Sequence, residues 1–488
     1  MTDPLRDTDG DEALRRVYEA AGPYLSSLAD RPVHDPDTLP LLGQLWQPAG
    51  GDALPERGEG AAAALDRLLR VGTAAATHSA GPRFFHFIIG GTTPAALAAD
   101  WTAALLDQNA AFRASSRLAS EVETVALTWL RELFGLPAAF GGALVTSATF
   151  ANVTGLAAAT HWWGERHGVD VAADGLAGLP RMPVLSGGYL HPSDRKALQL
   201  LGHGRNTVEV HARDGAGRVD LVALDRRLAE LAAPAVVIAS AGEVDTGDFD
   251  PLSDLADLAE RHGAWLHVDG AFGIFAALSP RTAGLVAGME RADSIAGDGH
   301  KWLNVPYENG FAFLKDPSRL PAAFGMPGAA YLPGEGSALP TPGEGADYAL
   351  LGPDSSRRAR SLPIWATLAA YGRDGYRAMV ERHLDLAQRL ARRVDETPEL
   401  ERLAEVPLCI VCFRARPAGV PEPALDELNR RLGAALLADG RVYAGTTVHD
   451  GRVALRPAIV NWRTTEADVD LLVDVVRELT AKLVAELG

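Results

Sequence analysis

Short apolar runs alternate with longer helix-period segments between residues 86 and 315. Seven runs are strand-like, and they lie at residues 143–146, 182–186, 207–210, 235–240, 264–268, 293–296 and 310–314. Amphipathic helical segments separate most of them, for example residues 221–232 and 251–262. This alternation predicts an α/β fold with a mostly parallel seven-stranded sheet covered by helices. The last run follows too closely for a helical crossover, so the pattern allows that strand to be antiparallel.

The segments on either side of this alternating region have different patterns. Residues 1–85 are helical and irregular, with one clear helix near residues 60–78, and we expect an N-terminal helical arm that packs on a partner subunit. Residues 86–357 form the predicted large domain, which includes a Gly- and Pro-rich stretch at 325–356 that predicts a mobile lid. Residues 358–488 predict a small α+β domain. In it, a long helix starts at Arg358, strands lie near 407–414, 441–446 and 452–457, and a final amphipathic helix spans about 466–486.

Composition and charge narrow the class of function. The chain has 488 residues and a formal net charge of −17, which repels nucleic-acid phosphates. No apolar run approaches the length of a membrane span, and the N-terminus lacks the basic and apolar regions of a secretory signal. We therefore expect a protein of the cytoplasm that binds neither nucleic acid nor membrane.

Cysteine and histidine spacings give little support to a redox or metal site. The two cysteines, Cys409 and Cys412, form a C-x-x-C pattern, but they lie in a strand-like run that would place them on opposite faces. We interpret them as reduced core residues. His161 and His167 are too far apart to share one helix face, and no HExxH motif is present, so we expect no metal site.

Candidate chemistry follows two neighbouring strand-like runs. Asp269 ends the run at 264–268, and Lys301 comes shortly after the run at 293–296. A carboxylate and a lysine at the ends of adjacent buried strands suit pyridoxal 5'-phosphate (PLP). The lysine amine can form a Schiff base with the cofactor aldehyde, and the carboxylate can hold a proton on the pyridine nitrogen.

Two further motifs lie at the expected ligand-binding edge of the sheet. Residues 146–149, Thr-Ser-Ala-Thr, follow a strand and open a helix, which indicates either a phosphate cradle or a simple helix N-cap; their position at the strand ends favours the cradle. His191 follows the run at 182–186 and could stack on a flat cofactor, although a structural histidine is the commoner case. The turn at 241–251 alone indicates only a loop.

Taken together in this order, the motifs resemble the group II PLP-dependent decarboxylases, the family of aromatic-L-amino-acid, histidine and glutamate decarboxylases. The resemblance covers roughly residues 60 to 480. Its most specific parts are His191, Asp269-Gly270-Ala271 and His300-Lys301-Trp302. Supporting matches are Pro82-Arg83-Phe84-Phe85, residues 121–125, Ala241-Gly242 through Phe249-Asp250-Pro251, residues 357–362 and Val411-Cys412-Phe413-Arg414.

The resemblance implies PLP fold type I and a role for each matched residue. Lys301 is the implied Schiff-base lysine, and Asp269 the implied partner of the pyridine nitrogen. His191, the second implied catalytic residue, would stack on one face of the ring and take part in protonation, and Ala271 would pack on the other face. Tyr348 matches a lid tyrosine that is proposed to protonate the intermediate after carbon dioxide leaves. A tyrosine there favours simple decarboxylation over decarboxylation coupled to oxidative deamination.

The resemblance also implies a phosphate site and a dimer. Thr146, Ser147 and Ala148, with His300, would hold the cofactor phosphate. An obligate homodimer is implied, and residues 106–112 would reach the site from the partner subunit.

Three features depart from the family pattern. Asp298 stands near the implied phosphate site, where asparagine is common. Glu243 stands where a small hydroxyl residue is usual, and Ala349-Leu350-Leu351-Gly352 replaces the tryptophan-glutamine pair that often follows the tyrosine. These changes leave PLP binding as the expectation, and they bear on the substrate and the product.

The function expected from the sequence is decarboxylation of an L-amino acid to its amine. The predicted substrate pocket contains Phe84, Phe85, His86 and Phe87, an aromatic wall that favours an aromatic or apolar side chain. Three alternatives remain open: an oxidative relative that yields an aldehyde, another PLP reaction such as transamination or β-elimination, and a homologue that has lost catalysis.

Overall fold

A seven-stranded sheet forms the centre of the larger domain in the computed structural model, which describes residues 10–46, 53–231, 233–326 and 345–486. The strands are β1 Gly141–Val145, β2 Val184–Ser186, β3 Val208–Val210, β4 Val236–Ser240, β5 Trp265–Asp269, β6 Ser294–Asp298 and β7 Gly310–Leu314. They are arranged in the order β1-β7-β6-β5-β4-β2-β3. Only β7 runs against the others, pairing antiparallel with both β1 and β6. The predicted mostly parallel sheet with a reversed last strand is confirmed.

Helices cover this sheet and build the regions on either side of it. The α-helices are α1 Gly10–Ser27, α2 Ala61–Ala75, α3 Pro94–Leu106, α4 Arg117–Leu133, α5 Ala148–Glu165, α6 Val171–Asp174, α7 Pro192–Leu200, α8 Leu221–Leu231, α9 Leu252–His262, α10 Arg319–Phe324, α11 Ser361–Asp395, α12 Glu422–Asp439 and α13 Glu466–Ala485. Short 3₁₀ segments lie at Pro36–Leu45, Gly273–Leu278, Ala283–Val286, Met289–Arg291 and Tyr348–Leu350, and a π-helical turn lies at Gly299–Leu303. None of the helices within the described ranges is both long enough and apolar enough to cross a bilayer.

The smaller domain is built on a four-stranded antiparallel sheet. Its strands are β8 Leu400–Arg402, β9 Phe413–Ala415, β10 Thr446–His449 and β11 Arg452–Leu455, in the order β10-β11-β9-β8. The predicted strand at 407–414 is wrong over most of its length, because only its last two residues belong to β9. Cys409 and Cys412 therefore lie in irregular chain before β9, not on the two faces of a strand. Both are buried and unpaired, as core cysteines would be, and burial raises the pKa of each thiol.

Helix α11 connects the two hydrophobic cores. Ile364 and Val380 are buried in the core of the large sheet, whereas Leu390 and Val394 are buried in the core of the small sheet. The helix bends at Gly372, whose φ of +59° is a left-handed conformation that glycine adopts at little cost. One continuous element thus fixes the position of the small domain relative to the large one.

The N-terminal segment is attached to the small domain within the same chain. The Phe85 amide donates to the Tyr443 carbonyl (2.8 Å), and the Val33 amide donates to the Gly440 carbonyl (2.7 Å). Helix α1, by contrast, contains no buried side chain. The domain boundaries at residues 85 and 357 stay predictions. Residues 327–344 of the predicted lid lie outside the described residues.

A buried ion pair joins α4 to the chain just before α11. Arg357 donates to both carboxylate oxygens of Glu123, at 3.0 and 2.5 Å, and both side chains are almost completely buried. Arg357 also donates to the carbonyls of Leu144 (2.7 Å) and Ala110 (2.8 Å), while Glu123 accepts the Leu144 amide (3.1 Å). The pair thereby holds strand β1 against α4.

Removing the negative charge of this pair should destabilise the protein strongly. Glu123→Gln keeps the shape but leaves the Arg357 charge buried without a counter-ion, and breaking such a pair costs about 3–5 kcal/mol. Urea denaturation should show this as a much lower midpoint. Lys482→Gln, which breaks an exposed pair with Glu478, is the control and should leave the midpoint nearly unchanged. Equal effects of the two substitutions would contradict a structural role for the buried pair.

Candidate active site

A cavity of about 270 Å³ opens at the C-terminal ends of the parallel strands, where open α/β sheets bind their ligands. Its walls come from strand ends of the large sheet, from the segment before α3 and from the small domain. The lining residues are Phe87, Ile88, Ser147, Ala148, Thr149, Tyr189, His191, Ser193, Ser240, Gly242, Val244, Asp269, Ala271, Phe272, Asp298, His300, Lys301 and Arg456.

Lys301 is presented by an irregular turn that follows β6. Its backbone angles (φ −81°, ψ −106°) interrupt the π-helical turn, and its Nζ lies 5.7 Å from the centroid of the Phe272 ring. Asn304 stabilises the turn by donating to the carbonyls of Trp302 (2.9 Å) and Val460 (3.0 Å). The chain before α3 passes so close that a Cβ on Gly90 would lie 1.8 Å from the Lys301 carbonyl oxygen, so only glycine fits there.

Asp269 ends β5 and lies at the cavity wall with 7% of its surface exposed. Its Oδ1 accepts the Ala271 amide (3.0 Å) and its Oδ2 accepts the side-chain amide of Asn152 on α5 (3.0 Å). The two bonds hold the carboxylate in one orientation.

His191 caps the N-terminus of α7 and lines the same cavity. Its Nδ1 lies 2.6 Å from the Ser193 Oγ and accepts the Ser193 amide (3.1 Å). Burial is the largest cause that lowers the pKa of His191; nearby Asp269 acts in the opposite direction and nearby Lys301 adds to the lowering. The ring is therefore neutral near pH 7.

The predicted phosphate cradle lies at the N-terminus of α5. Ser147 is the N-cap, and its Oγ accepts the Phe150 amide at 3.5 Å. Ser147, Ala148 and Thr149 line the cavity, whereas Thr146 does not. The cradle is thus displaced by one residue from the prediction, because the last residue of β1 is Val145 and Thr146 lies in the turn before the cap.

Asp298 occupies part of this cradle. Its Oδ2 accepts the Ala148 amide (2.8 Å), and its Oδ1 lies 2.6 Å from the His300 Nδ1. The His300 ring stacks on Tyr307, with centroids 4.4 Å apart. A buried carboxylate therefore binds one of the amides that a cofactor phosphate would use.

Glu243 supports a turn instead of facing the cavity. Its carboxylate accepts the amides of Asp245 (2.7 Å) and Thr246 (2.9 Å), together with the Thr246 hydroxyl (2.9 Å). Burial, followed by the neighbouring Asp245 charge, raises the pKa of Glu243 to about 7. The residue that reaches the cavity from this turn is Val244.

The predicted aromatic wall needs correction. Phe85 is buried in the core of the small sheet, Phe84 packs edge-on against Tyr443, and neither lines the cavity. His86 is also buried outside it, and burial lowers its pKa to about 4. Phe87 does line the cavity, together with Ile88, because both adopt left-handed backbone angles (φ +57° and +59°) that an alternating pattern does not reveal.

Tyr348 also lies away from the cavity. Its ring is 3% exposed, its hydroxyl is 2.9 Å from the Thr124 Oγ1, and the Arg357 guanidinium lies 5.3 Å from its ring centroid. Burial raises the pKa of Tyr348. Tyr348 is therefore not at the cavity of its own subunit, and its role as a proton donor stays a prediction. Tyr331, the other tyrosine of the predicted lid, lies outside the described residues.

Several lining residues were not foreseen from the sequence. The unforeseen residues are Ile88, Tyr189 and Arg456, together with Val244 of the turn at 241–251, which alone had indicated only a loop. Tyr189 and Val244 follow β2 and β4, so their place after strand ends was an available signal. Arg456 comes from the small domain, far along the chain, and nothing in its local pattern indicates the cavity.

The residues present fit PLP. Lys301 supplies an amine for the aldehyde, Asp269 a carboxylate for the pyridine nitrogen, and the start of α5 supplies amides and hydroxyls for the phosphate. Asp298 is the feature that opposes the fit, because it adds negative charge where the phosphate would bind. Across the described ranges, no three His, Cys, Asp or Glu side chains are grouped as metal ligands.

Comparison with known proteins finds similarity to pyridoxal-dependent decarboxylases. The family model described as "Pyridoxal-dependent decarboxylase conserved domain" matches residues 51–416. An aromatic-L-amino-acid decarboxylase of Bacillus atrophaeus is 27% identical over 424 residues, 86% of this chain and 85% of the relative. An L-2,4-diaminobutyrate decarboxylase of Rhizobium meliloti (strain 1021) is 32% identical over 437 residues, 88% of this chain and 84% of the relative. The crystal structure of Oryza sativa TDC with PLP and tryptamine has a TM-score of 0.88 at 26% identity and covers 99% of this chain and 100% of that one.

Replacing Asp298 by asparagine should strengthen PLP binding. The amide oxygen can still accept the Ala148 amide, but the charge that repels the phosphate is gone, and we expect roughly tenfold tighter binding. Titration of the cofactor-free protein with PLP, followed by absorbance, measures this. Pyridoxal, which lacks the phosphate, is the control and should show no such gain. Weaker PLP binding by the variant would show that Asp298 assists the phosphate site.

Proposed function

The chain belongs to the pyridoxal-dependent decarboxylase family, and from that membership we propose that it decarboxylates an L-amino acid with an aromatic or apolar side chain to the corresponding amine. The observation that carries the proposal is the convergence of Lys301, Asp269 and His191 on one cavity. These three side chains follow different strands, whose C-terminal ends meet at the edge of the sheet where open α/β sheets bind ligands.

Lys301, Asp269 and His191 would each have a separate role in the reaction. PLP, when bound, supplies a cationic ring that withdraws electrons from the bond to the departing carboxyl group. Lys301 would hold the cofactor aldehyde until substrate arrives. Asp269, fixed by Ala271 and Asn152, would keep the proton on the pyridine nitrogen. His191 would lie over the ring, where a neutral imidazole can pack without repelling the cation.

The cavity wall supports an apolar substrate side chain. Phe87, Ile88 and Val244 contribute apolar surface, while Arg456 contributes a positive charge. Arg456 donates to the Val244 carbonyl (2.9 Å) and lies 3.9 Å from Asp245, so its guanidinium is held in place. A fixed cation beside an apolar wall suits an amino acid whose carboxylate meets the arginine and whose side chain meets the wall.

A reducing compartment suits the chain, and we propose the cytoplasm. The support is the pair of unpaired, buried cysteines, Cys409 and Cys412. Fractionation of source cells with an antibody to the protein tests this, and recovery outside the cytoplasmic fraction would contradict it.

A homodimer is the assembly we propose. Large apolar side chains are exposed on four helices: Tyr18 (73%) on α1, Leu105 (73%) on α3, Leu118 (49%) on α4 and Trp365 (41%) on α11. Phe87, at the cavity, is 59% exposed. A second copy would bury these side chains, and a contact at Phe87 would cover one wall of the cavity. Sedimentation at micromolar concentration should give twice the chain mass of 51.6 kDa. A monomer that retains full activity would contradict the proposal.

An amino-acid panel tests the activity and the substrate class together. The purified protein with PLP should release carbon dioxide and one amine, preferentially from aromatic or apolar amino acids, with 2,4-diaminobutyrate and glutamate included for comparison. Peroxide and an aldehyde beside the carbon dioxide would instead indicate the oxidative reaction. Cofactor absorbance without carbon dioxide from any amino acid would leave the fold and overturn the function.

Lys301→Ala is the matched control for this panel. The variant lacks the amine that holds the cofactor, so the absorbance of the linked cofactor and the turnover should both disappear. Retained cofactor absorbance with full turnover would rule out Lys301 as the attachment point.

A further inference from the structure

Asn152 lies beneath the cavity and connects Asp269 and His191, two of the side chains proposed to face the cofactor. It lies on α5, is completely buried, and does not line the cavity itself. Its Nδ2 donates to the Asp269 Oδ2 (3.0 Å) and to the Ser193 Oγ (3.2 Å), and its Oδ1 lies 3.0 Å from the His267 Nε2. All three polar positions of the amide are therefore used.

The bond to Asn152 determines where His267 carries its proton. An amide oxygen only accepts, so the His267 Nε2 must be the donor. Burial lowers the pKa of His267 to about 4, so the ring is neutral and its Nδ1 is an acceptor. The Ser294 hydroxyl, 2.8 Å from that Nδ1, must then donate to it. Trp265, which can only donate, completes the chain with a bond to the Ser294 Oγ (2.9 Å).

Each bond in this chain points in the same direction. Trp265 donates a hydrogen bond to Ser294, and Ser294 donates one to His267. His267 in turn donates to Asn152, and Asn152 donates to Asp269. Aligned hydrogen bonds polarise one another, and the last donor meets a carboxylate. The chain thus opposes the burial of the Asp269 charge. It also offsets the repulsion between Asp269 and the nearby Asp194, which is buried and has one carboxyl oxygen without a partner.

The second branch from Asn152 leads to His191. Because Asn152 donates to the Ser193 Oγ, the single Ser193 hydroxyl proton is free for the His191 Nδ1, 2.6 Å away. The Ser193 amide donates to the same nitrogen. His191 Nδ1 is thus an acceptor, and the proton of the neutral ring is on Nε2, the nitrogen that Ser193 leaves free.

We propose that Asn152 is a positioning residue that joins Asp269 and His191 in one polarised hydrogen-bond chain starting at Trp265, and that this chain fixes His191 in its Nε2-protonated form. The inference rests on the proposed function, since it assigns Asp269 and His191 to the cofactor. It adds residues to the site that contact neither cofactor nor substrate.

The close packing of α5 on the sheet supports this role of Asn152. A Cβ on Gly155, one turn after Asn152, would lie 2.8 Å from the His267 Nδ1 and 3.0 Å from the Ser294 Oγ. Helix α5 can approach β5 and β6 closely only because this residue is glycine. The close approach brings the Asn152 amide within hydrogen-bond distance of both His267 and Asp269.

The first test measures proton positions in the PLP-bound protein. Histidine labelled with ¹⁵N distinguishes protonated from unprotonated ring nitrogens, and His191→Gln and His267→Gln assign the two signals. We expect both rings to be neutral with the proton on Nε2. A proton on the Nδ1 of either ring, or two protons on either ring, would overturn the inference. This result does not depend on turnover, so it stands or falls separately from the proposed function.

The second test asks whether PLP affinity depends on the hydrogen-bonding groups of His267 and Asn152 or only on the volume of their side chains. His267→Gln offers one donor and one acceptor and should keep PLP affinity within about threefold of the parent, whereas His267→Leu and Asn152→Leu should each weaken it roughly tenfold. Asn429→Leu removes a buried amide of the small domain and is the matched control, with unchanged PLP affinity expected. Equal losses for His267→Gln and His267→Leu, or parental affinity in Asn152→Leu, would show that packing alone matters there.

Discussion

The negative charge of Asp269 is the constraint on which the rest of the site depends. The carboxylate lies at the end of a central strand, with α5 packed over it and little solvent in reach. Burying a charge is costly unless donors replace water, and here the donors are the Ala271 amide and the Asn152 side chain. Those donors in turn require the tight turn after β5 and the close approach of α5. The backbone around the cavity is therefore arranged to stabilise one ionised group.

Two other buried acids of this acidic chain, Glu123 and Glu243, are stabilised by the same means. Glu123 is paired with Arg357 and accepts a backbone amide, and Glu243 accepts three hydrogen bonds from its own turn. Asp298 differs, since the donor to it is an amide at the start of α5 and the His300 ring lies 2.6 Å from its other carboxylate oxygen, both at the predicted phosphate site. An acid that is stabilised by cofactor-binding groups competes with the cofactor, whereas one that is stabilised elsewhere does not.

Local pattern was sufficient to predict the sheet and the centre of the site. Strand-like runs and their ends are local features, and parallel strands bring their ends to one edge, so Asp269, Lys301 and His191 could be placed together in advance. The other residues that line the cavity could not be predicted in this way. Phe87 and Ile88 reach the cavity through left-handed backbone angles, and Tyr348 is withdrawn into the core by contacts with Thr124 and Arg357. Such features depend on tertiary packing, which periodicity does not encode.

The residues that line the cavity come from separate parts of the chain. The residues proposed to meet the cofactor lie at strand ends of the large sheet, whereas Arg456 comes from the small domain and Ile88 from the segment before α3. Helix α11 spans both cores and fixes the distance between these parts. Substitutions in the small domain can therefore reshape the cavity near Arg456 without moving Lys301 or Asp269. The similarity of this chain to relatives named for aromatic amino acids and for 2,4-diaminobutyrate is consistent with that separation.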